Sequence, residues 1–262
     1  MKENSANGME GVGNGISVIM IVNNEEAVLA KTLESVQWAD EIVVVDSGST
    51  DRTPEICRSF PRVRFVERPW EGFGRQKNIA LDHATHPWAF SLDADERVSP
   101  TLAAEIRRAV ADAACDGYLL KRKNFYGEQW IRHCGWWPDE VLRLFRRDAG
   151  RFSDRPVHET VELNGRVGRL ENPLEHRSFH TVADFVRKAD AYSTLGARLM
   201  REKGRRSSAF KALSHGLFTF FKTYVLRRGF LDGRAGVLIA VSNAVGVFYR
   251  YMKALELQER EP

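Results

Sequence analysis

Four short apolar segments, separated by segments with helical periodicity, constrain the fold of this chain more than any other feature. The apolar segments are Ile16–Val22 and residues 42–45, 63–66 and 88–92. Successive positions in each segment are apolar, so both faces of such a strand require a buried environment. Strands of this kind alternating with helices predict an α/β fold with a mostly parallel central sheet covered by helices on both sides.

Polar residues follow the ends of three of these strands. They are Asn23 and Glu25 after the first strand, Asp46 at the end of the second, and Asp93 and Asp95 after the fourth. Ligands of open parallel sheets bind beyond the carboxyl ends of the strands, so we expect these side chains to share one site. Taken singly, each loop is explained as well by ordinary turn chemistry, because Asp, Asn, Ser and Gly are common in such connections.

Asp93 and Asp95 form a D-x-D pair directly after an apolar strand. Carboxylate oxygens are the ligands that Mg²⁺ and Mn²⁺ prefer, and such sites keep positions open for phosphate oxygens. The pair therefore predicts a divalent-cation site that holds a diphosphate. The alternative is a solvated acidic loop that caps the next helix, and the position at a strand end favours the metal site.

The second half of the chain has a different pattern. Strands are predicted over residues 118–123 and 141–146, a hairpin with an Asn164-Gly165 turn over residues 161–170, and helices over residues 182–203, 210–226 and 234–259. These patterns divide the chain into a disordered tail (residues 1–15), an α/β domain (residues 16–179) and a helical C-terminal region (residues 180–262).

Four motifs in order, ISVIMIVNNE, VVVDSGSTDRT, GFGRQKNIAL and SLDADE, resemble the inverting family 2 glycosyltransferases with the GT-A nucleotide-sugar-binding fold. The resemblance implies that Asp46 contacts the uracil base and that Arg75 and Asn78 lie near the diphosphate. It also implies that Asp93 and Asp95 bind ribose and metal. This chain has DSGS where many members have DDGS, so one carboxylate beside Asp46 is absent.

The later segments CGWWPDEVLRLFRR, PVHETVELNG and FFKTYVLRRGFLDG resemble the branch of that family that adds glucose to the inner core of lipopolysaccharide. This resemblance implies a UDP-hexose donor and a heptose acceptor on a lipid-linked core. Inversion requires a carboxylate that takes the proton of the acceptor hydroxyl. Glu159 is the first candidate for this base and Asp139 the second. The fold also implies His176 as a further metal ligand, although a buried or capping histidine explains it equally well.

Basic and aromatic residues alternate from residue 203 to residue 228, which predicts contact with an anionic lipid surface. The alternatives are packing on the sheet or contact with another subunit. The apolar stretch at residues 235–249 is shorter than the roughly 20 residues needed to span a membrane. No nucleic-acid-binding motif is recognisable, so we expect no nucleic-acid partner.

The cysteines and the N-terminal sequence indicate the cellular compartment in which the protein is expected. The three cysteines have no metal-ligand spacing, and the polar first 15 residues contain no apolar signal segment. We therefore expect a cytoplasmic protein, peripheral on the inner face of the plasma membrane.

Three other functions compete with the transferase. A sugar-1-phosphate nucleotidyltransferase would place a glycine-rich turn where Asn23 stands, and a dinucleotide oxidoreductase would need a third glycine after Gly72 and Gly74. A non-catalytic membrane-surface scaffold leaves the strand-end carboxylates without a role. Among transferases, a polyprenyl-phosphate or another membrane lipid remains open as the acceptor.

Overall fold

A computed structural model of the chain describes residues 14–154 and 160–259. The chain divides into two compact units, of which the first comprises Met1–Leu120 and Glu140–Leu174 and the second Lys121–Asp139 and Glu175–Pro262. Residues 121–139, which the sequence-based division places with the sheet, thus belong to the unit that contains the C-terminal helices. Of the predicted disordered tail, residues 1–13 lie outside the described residues.

The first unit begins with alternating strands and helices. They are β1 (Ile16–Val22), α1 (Leu29–Ser35), β2 (Glu41–Asp46), α2 (Thr53–Ser59), β3 (Val63–Glu67), α3 (Phe73–His83), β4 (Trp88–Ser91), β5 (Glu96–Arg97) and α4 (Pro100–Asp112). The first four strands are parallel in the order β3-β2-β1-β4. The predicted α/β fold with a mostly parallel sheet is therefore confirmed.

The next strands are β6 (Gly117–Tyr126), β7 (Gln129–Trp130), β8 (Glu140–Arg146), β9 (Gly150–Phe152), β10 (Val161–Leu163) and β11 (Val167–Arg169). Of these, β6, β7, β8 and β11 extend this sheet, whereas β9 and β10 form a separate two-stranded sheet. β8 pairs antiparallel with β4 and lies between β4 and β6.

The predicted hairpin over residues 161–170 is wrong. β10 pairs antiparallel with β9, whereas β11 pairs parallel with β6. Asp116 explains the separation, because its Oδ2 accepts the N–H of Arg166 at 2.8 Å and its own N–H donates to the Arg166 carbonyl at 2.8 Å. The Asn164-Gly165 turn, with Gly165 at a φ of 146°, thus leads the chain from one pair of strands to another.

The core of the first unit lies on both faces of this sheet. Val18 and Val44 pack on one face, Val43 and Phe145 pack on the other, and all four are 0% exposed. Trp88 in β4 is also fully buried. Burial of each large side chain of this kind stabilises the fold by about 2–3 kcal/mol.

The second unit combines residues 121–139 with β12 (Leu174–Phe179), α5 (Val182–Glu202), α6 (Ala209–Phe221) and α7 (Gly233–Glu259). A π-helical segment (Lys222–Leu226) and a 3₁₀ turn (Gly229–Asp232) connect α6 to α7. α7 packs against both α5 and α6. A small apolar cluster that includes Ile131, Phe185 and Ile239 forms the core of this unit.

The C-terminal helix is longer than the apolar stretch counted in the sequence. α7 has 27 residues, and the segment Gly229–Glu259 is long and apolar enough to cross a membrane by length and composition alone. The apolar stretch between Arg234 and Arg250 is thus part of a longer helix, and the expectation that it does not span a membrane stays a prediction. Among residues 14–154 and 160–259, no other helix meets the same criteria.

Candidate functional site

The carboxyl ends of β1, β2 and β4 lie side by side in the first unit. Asp46 is in register with Val22, and the N–H of Leu92 donates to the Ile19 carbonyl at 3.0 Å. The chain leaves β1 on one side to form β2 and β3 and returns on the other side to form β4. β1 is thus the switch point of the sheet, where ligands of such folds bind.

Two loops at this edge are joined by hydrogen bonds. The N–H of Asn24 donates to Ser49 Oγ at 2.8 Å, the N–H of Thr50 donates to Asn24 Oδ1 at 2.8 Å, and the N–H of Glu25 donates to Thr53 Oγ1 at 2.8 Å. Asn24 has a φ of 57°, a left-handed conformation that asparagine tolerates better than most residues. The loops after β1 and β2 therefore form one connected surface.

Asp46 holds the turn that follows β2. Its Oδ2 accepts the N–H groups of Gly48 at 3.0 Å and Ser49 at 2.9 Å, and its Oδ1 accepts the Ser49 hydroxyl. The residue is only 2% exposed. Ser47, at the position of the second carboxylate of DDGS, donates its hydroxyl to the Val22 carbonyl at 3.2 Å. The expected contact of Asp46 with a base stays a prediction.

Four charged side chains form a buried cluster at the end of β4. Lys77 Nζ lies 3.2 Å from Asp93 Oδ1, and Arg143 Nη2 contacts both Asp93 Oδ2 and, at 2.6 Å, Glu96 Oε1. Glu96 Oε2 also accepts the N–H of Asp93 at 2.9 Å. Both oxygens of Asp93 are thus bonded to cations. The side chain of Glu96 is 0% exposed and that of Arg143 is 7% exposed, whereas that of Asp93 is 31% exposed.

Mutual compensation makes these buried charges tolerable. Burial alone would lower the pKa of Arg143, but the Asp93 and Glu96 carboxylates raise it above its ordinary value. Removal of one partner from a buried ion pair typically costs about 3–5 kcal/mol, because the other charge is left uncompensated. Asp93 is therefore held in one orientation at the mouth of the site.

Sequence reasoning missed Lys77, Glu96 and Arg143 as members of this site. A signal was present for Lys77, because the buried positions of α3 include Gly74, Lys77, Ala80 and Leu81, so the lysine lies on an otherwise apolar face. Arg143 likewise interrupts an apolar strand. A charge at a core position requires a partner, but the sequence does not show which one.

Arg75 and Asn78, the predicted diphosphate-binding residues, lie on the same helix. Arg75 is exposed and pairs with Asp154 at 3.3 Å and Glu71 at 3.9 Å. Asn78 binds the main chain of Phe152 through both amide atoms, at 2.9 Å and 3.0 Å. The observed role of Asn78 is therefore to connect α3 to β9, and a diphosphate contact by either residue stays a prediction.

The described residues contain no group of three or more His, Cys, Asp or Glu side chains placed to hold a metal ion. Asp95 is half-buried, two residues beyond Asp93. A Mg²⁺ site commonly takes only one or two carboxylates and fills its other positions with phosphate oxygens and water. The donor chemistry of Asp95 therefore fits a divalent cation that binds together with a diphosphate, whereas Asp93 would have to give up a bond to Lys77 or Arg143 to become a second ligand.

The second unit contains a separate polar network. Arg122 Nε donates to Asp139 Oδ2 at 2.9 Å, and Asn124 Nδ2 donates to the same oxygen at 3.3 Å. Asn124 Oδ1 lies 2.6 Å from His176 Nδ1, and His176 Nε2 lies 2.5 Å from Ser178 Oγ. His176 thus uses both ring nitrogens in hydrogen bonds, and a role as a metal ligand would require it to give one up.

The two carboxylate oxygens of Asp139 differ in their hydrogen-bond partners. Its Oδ2 is held by Arg122 and Asn124, whereas no residue in the described parts of the chain donates a hydrogen bond to its Oδ1. The side chain is 31% exposed. A carboxylate fixed through one oxygen can accept a proton at the other. Glu159, the first candidate for the base, lies outside the described residues.

Trp136 and Trp137 precede Asp139 and both contact other aromatic rings. Trp136 packs against Phe179 with ring centroids 5.2 Å apart, and Trp137 meets Trp130 edge to face at 5.4 Å. Such packing accounts for both indoles without a ligand. It also fixes the segment that carries Asp139.

Comparisons with known proteins agree with this arrangement. The profile of the family described as "Glycosyl transferase family 2" matches residues 17–161. The lipopolysaccharide core biosynthesis glycosyltransferase LpsC of Rhizobium meliloti is 32% identical over 258 residues, which cover 94% of this chain and 92% of that protein. Glycosyltransferase RT0209 of Rickettsia typhi is 30% identical, over 92% of this chain and 87% of that protein.

One solved structure is similar across most of the chain. Staphylococcus aureus TarS 1–349, crystallised in complex with UDP-GlcNAc, has a TM-score of 0.51 and 15% sequence identity. The similarity covers 94% of this chain and 92% of that chain. At this identity the likeness shows a shared fold.

Proposed function

Because this chain belongs to glycosyl transferase family 2, we propose that it transfers a hexose, with glucose as the first choice, from a UDP-sugar to a heptose of the lipopolysaccharide inner core. Two findings support this substrate pair. The relative LpsC is named for lipopolysaccharide core biosynthesis and is similar over nearly its whole length. The TarS fragment of similar fold was crystallised with a UDP-sugar. The proposed place of action is the cytoplasmic face of the inner membrane, where a lipid-linked acceptor would lie.

The observation that carries the proposal is the Asp93–Asp95 pair at the switch point of the sheet, with Asp93 fixed by two buried cations. In the proposed complex, Asp95 holds a Mn²⁺ or Mg²⁺ ion together with the donor diphosphate, and Asp93 would join as a second ligand by giving up a bond to Lys77 or Arg143. The ion would supply positive charge to the departing UDP, whose negative charge grows in the transition state. Lys77 and Arg143 fix the Asp93 carboxylate in one orientation before the donor binds.

The proposed donor site also uses the connected loops after β1 and β2. Asn23 and Glu25 are the proposed hydrogen-bonding residues for the nucleoside, and Asp46 holds the turn that would lie beside the base. Arg75 is the proposed additional cation for the diphosphate, and it would have to leave Asp154 and Glu71 to act in this way.

We assign the proposed base of the inverting step to Asp139. Its Oδ1 accepts the proton of the acceptor hydroxyl as that oxygen attacks the anomeric carbon, while the bond from the same carbon to UDP breaks on the opposite face. Nε and Nη2 of Arg122 both bond Oδ2 of Asp139 and keep that oxygen in place. Glu159 remains the competing candidate, and the separate variants Asp139→Asn and Glu159→Gln decide between them.

The proposal is tested with purified protein, UDP-glucose and a deacylated core fragment that ends in heptose. The Asp95→Asn variant should lose at least about 100-fold in the rate of transfer. EDTA should abolish transfer by the unaltered protein, and added Mn²⁺ should restore it. Asp82→Asn, an exposed carboxylate on α3 that pairs with Arg151, is the matched control and should keep full activity. Full metal-dependent activity of Asp95→Asn would contradict the proposed donor site.

The acceptor is tested in the host. Deletion of the gene should lower the mass of the core oligosaccharide by at least one hexose. An unchanged core together with UDP-glucose hydrolysis in vitro would redirect the assignment to a polyprenyl-phosphate or another lipid acceptor. Absence of both transfer and hydrolysis by the purified protein would leave the membrane-surface scaffold as the better explanation.

A further inference from the structure

The helix α6 has the inverse of the side-chain distribution that a helix on the surface of a soluble protein has. Its buried residues are small: a Cβ added to Gly216 would lie 3.3 Å from the Ala244 carbonyl oxygen of α7, and Ala212 is 0% exposed. Its large apolar residues point outward, with exposures of 81% for Phe210, 55% for Leu213, 63% for Leu217 and 49% for Phe221. A soluble helix normally buries such residues.

The spacing of these outward residues defines a continuous surface. Phe210, Leu213, Leu217 and Phe221 are separated by three, four and four positions, so they lie along one face of the helix. We call these four residues the α6 stripe. Beyond α6, Leu226, Phe230 and Leu231 are also more than two-fifths exposed. An exposed apolar surface of this extent marks an interaction site.

The charges around the α6 stripe have one sign. No Asp or Glu occurs between Lys203 and Leu231, whereas the same interval contains the cations Lys203, Arg205, Arg206, Lys211, Lys222, Arg227 and Arg228. All seven are exposed. Within residues 14–154 and 160–259, none of the seven forms a salt bridge. The complementary partner is therefore both apolar and anionic.

The neighbouring helix α7 is fixed within the second unit. Lys253 Nζ donates to Asp190 Oδ1 at 2.6 Å, Ser193 Oγ at 2.9 Å and Thr194 Oγ1 at 2.7 Å, all on α5. Ile239 and Ala240 of α7 are 0% exposed. Insertion of α7 across a bilayer would pull Lys253 away from these partners. Length and composition alone thus overstate the tendency of this helix to span a membrane.

We propose that the α6 stripe docks on an anionic lipid surface, with α6 lying in the plane of the interface and α7 remaining outside the bilayer. In this arrangement the stripe enters the boundary between headgroups and acyl chains, and the flanking lysines and arginines bind lipid phosphates. This inference rests on the proposed function only for its biological purpose, which is to hold the enzyme where a lipid-linked acceptor lies.

Vesicle binding by the full chain tests the docking without donor or acceptor. We expect the protein to float with vesicles containing about one-third phosphatidylglycerol in phosphatidylcholine and to stay in solution with phosphatidylcholine alone. Raising the salt concentration from about 0.1 M to about 1 M should weaken binding at least tenfold, because it shortens the range of the charge interaction. Such salt should also release the protein from cell membranes, which a spanning α7 would prevent.

Two variants separate the apolar and the charged contributions. Leu213→Ser combined with Leu217→Ser should reduce binding to anionic vesicles at least tenfold, as should Lys222→Gln combined with Arg227→Gln and Arg228→Gln. The matched control is Val186→Ser combined with Tyr192→Ser on α5, where both side chains are more than half exposed but lie outside the stripe. Circular dichroism and the thermal unfolding midpoint should be the same for all variants.

Three outcomes would overturn the inference. One is equal vesicle binding by the stripe variant and the unaltered protein. Another is a dimer in solution that dissociates on substitution of the stripe, which would identify a second copy as the occupant. A third is resistance of the membrane-bound protein to salt and to alkaline carbonate. The proposed function fails separately, because transfer to the deacylated core fragment needs no membrane and should be unchanged in both variants.

Discussion

Asp93 in the first unit and Asp139 in the second are held by different kinds of contact. Lys77 and Arg143 bond both oxygens of Asp93, and the cluster around it is buried. Arg122 and Asn124 bond one oxygen of Asp139, in a network that is partly open to solvent. Both oxygens of Asp93 are thus engaged, whereas Oδ1 of Asp139 has no donor among the described residues. Under the proposed function, Asp93 is a binding carboxylate and Asp139 a candidate base.

The largest effect is expected for Asp139→Asn, which keeps the shape of the side chain and removes its basicity. The rate of transfer should fall by about 10²–10⁴-fold, the usual contribution of a general base, while the affinity for UDP measured by calorimetry stays unchanged. Glu140→Gln is the matched control at the next position, where an exposed residue pairs with Arg169. Normal transfer by Asp139→Asn would make Glu159 the better candidate for the base. Asp139 would then have no catalytic role to compare with the binding role of Asp93.

The next effect concerns the stability of the two arrangements. Arg143→Met removes the cation that bonds both Glu96 and one oxygen of Asp93, and leaves Lys77 on the other oxygen of Asp93, so it should lower the free energy of unfolding by about 3–5 kcal/mol. Arg122→Met should cost only about 1 kcal/mol, because its pair with Asp139 is partly screened by solvent, with side-chain exposures of 22% and 31%.

Urea unfolding followed by fluorescence measures both values. Glu96→Gln in the Arg143→Met background should recover part of the loss, since the two residues contact each other and their effects are not additive. Equal costs for Arg143→Met and Arg122→Met would show that burial does not distinguish the two clusters.

A smaller effect separates the two sides of α6. Gly216→Val places carbon atoms against the Ala244 carbonyl of α7 and should lower the free energy of unfolding by about 1–3 kcal/mol through overpacking. Leu217→Ser, one position along the chain but on the exposed side, should change the same quantity by less than about 0.5 kcal/mol. A large loss for Leu217→Ser would mean that the stripe is covered in solution.

The sequence predicted the parts of the site that depend on local order along the chain. Residues of β1, β2 and β4 are apolar on both faces, and this pattern predicts Asp46 and Asp93 at the carboxyl ends of two strands, which the structure places on either side of β1. Lys77 and Arg143 could not be paired with Asp93 in the same way, since Arg143 is 50 residues from its partner and lies on an antiparallel strand. The register of β8 against β4 brings Arg143 close to Asp93. No local sequence pattern encodes that register.

The failure of the predicted hairpin has a similar cause. Asn164-Gly165 is a sound signal for a turn, but the residues that compete for the two flanking strands lie elsewhere. β9 (Gly150–Phe152) pairs with β10. Asp116 accepts a hydrogen bond from the Arg166 N–H, which keeps the following strand beside β6. Turn chemistry thus predicted where the chain reverses and could not predict which strands would pair.

A third carboxylate, Asp184, extends the comparison to a residue held mainly by main-chain donors. Burial acts to raise the pKa of Asp184, but hydrogen bonds from the N–H groups of Thr181 and His180 and from the Thr181 hydroxyl lower it to about 2. A carboxyl whose pKa is lower in the folded state stabilises the fold above its unfolded pKa of about 4, and this stabilisation disappears as the pH falls through about 2.

Asp184→Asn should therefore destabilise the protein by about 1 kcal/mol at pH 7, the usual value of a helix cap. The difference from the unaltered protein should shrink between about pH 4 and pH 2, as the native carboxyl takes up its proton. Thermal unfolding of both proteins across this range measures the difference. A difference that stayed constant down to pH 2 would mean that the side chain acts through its shape.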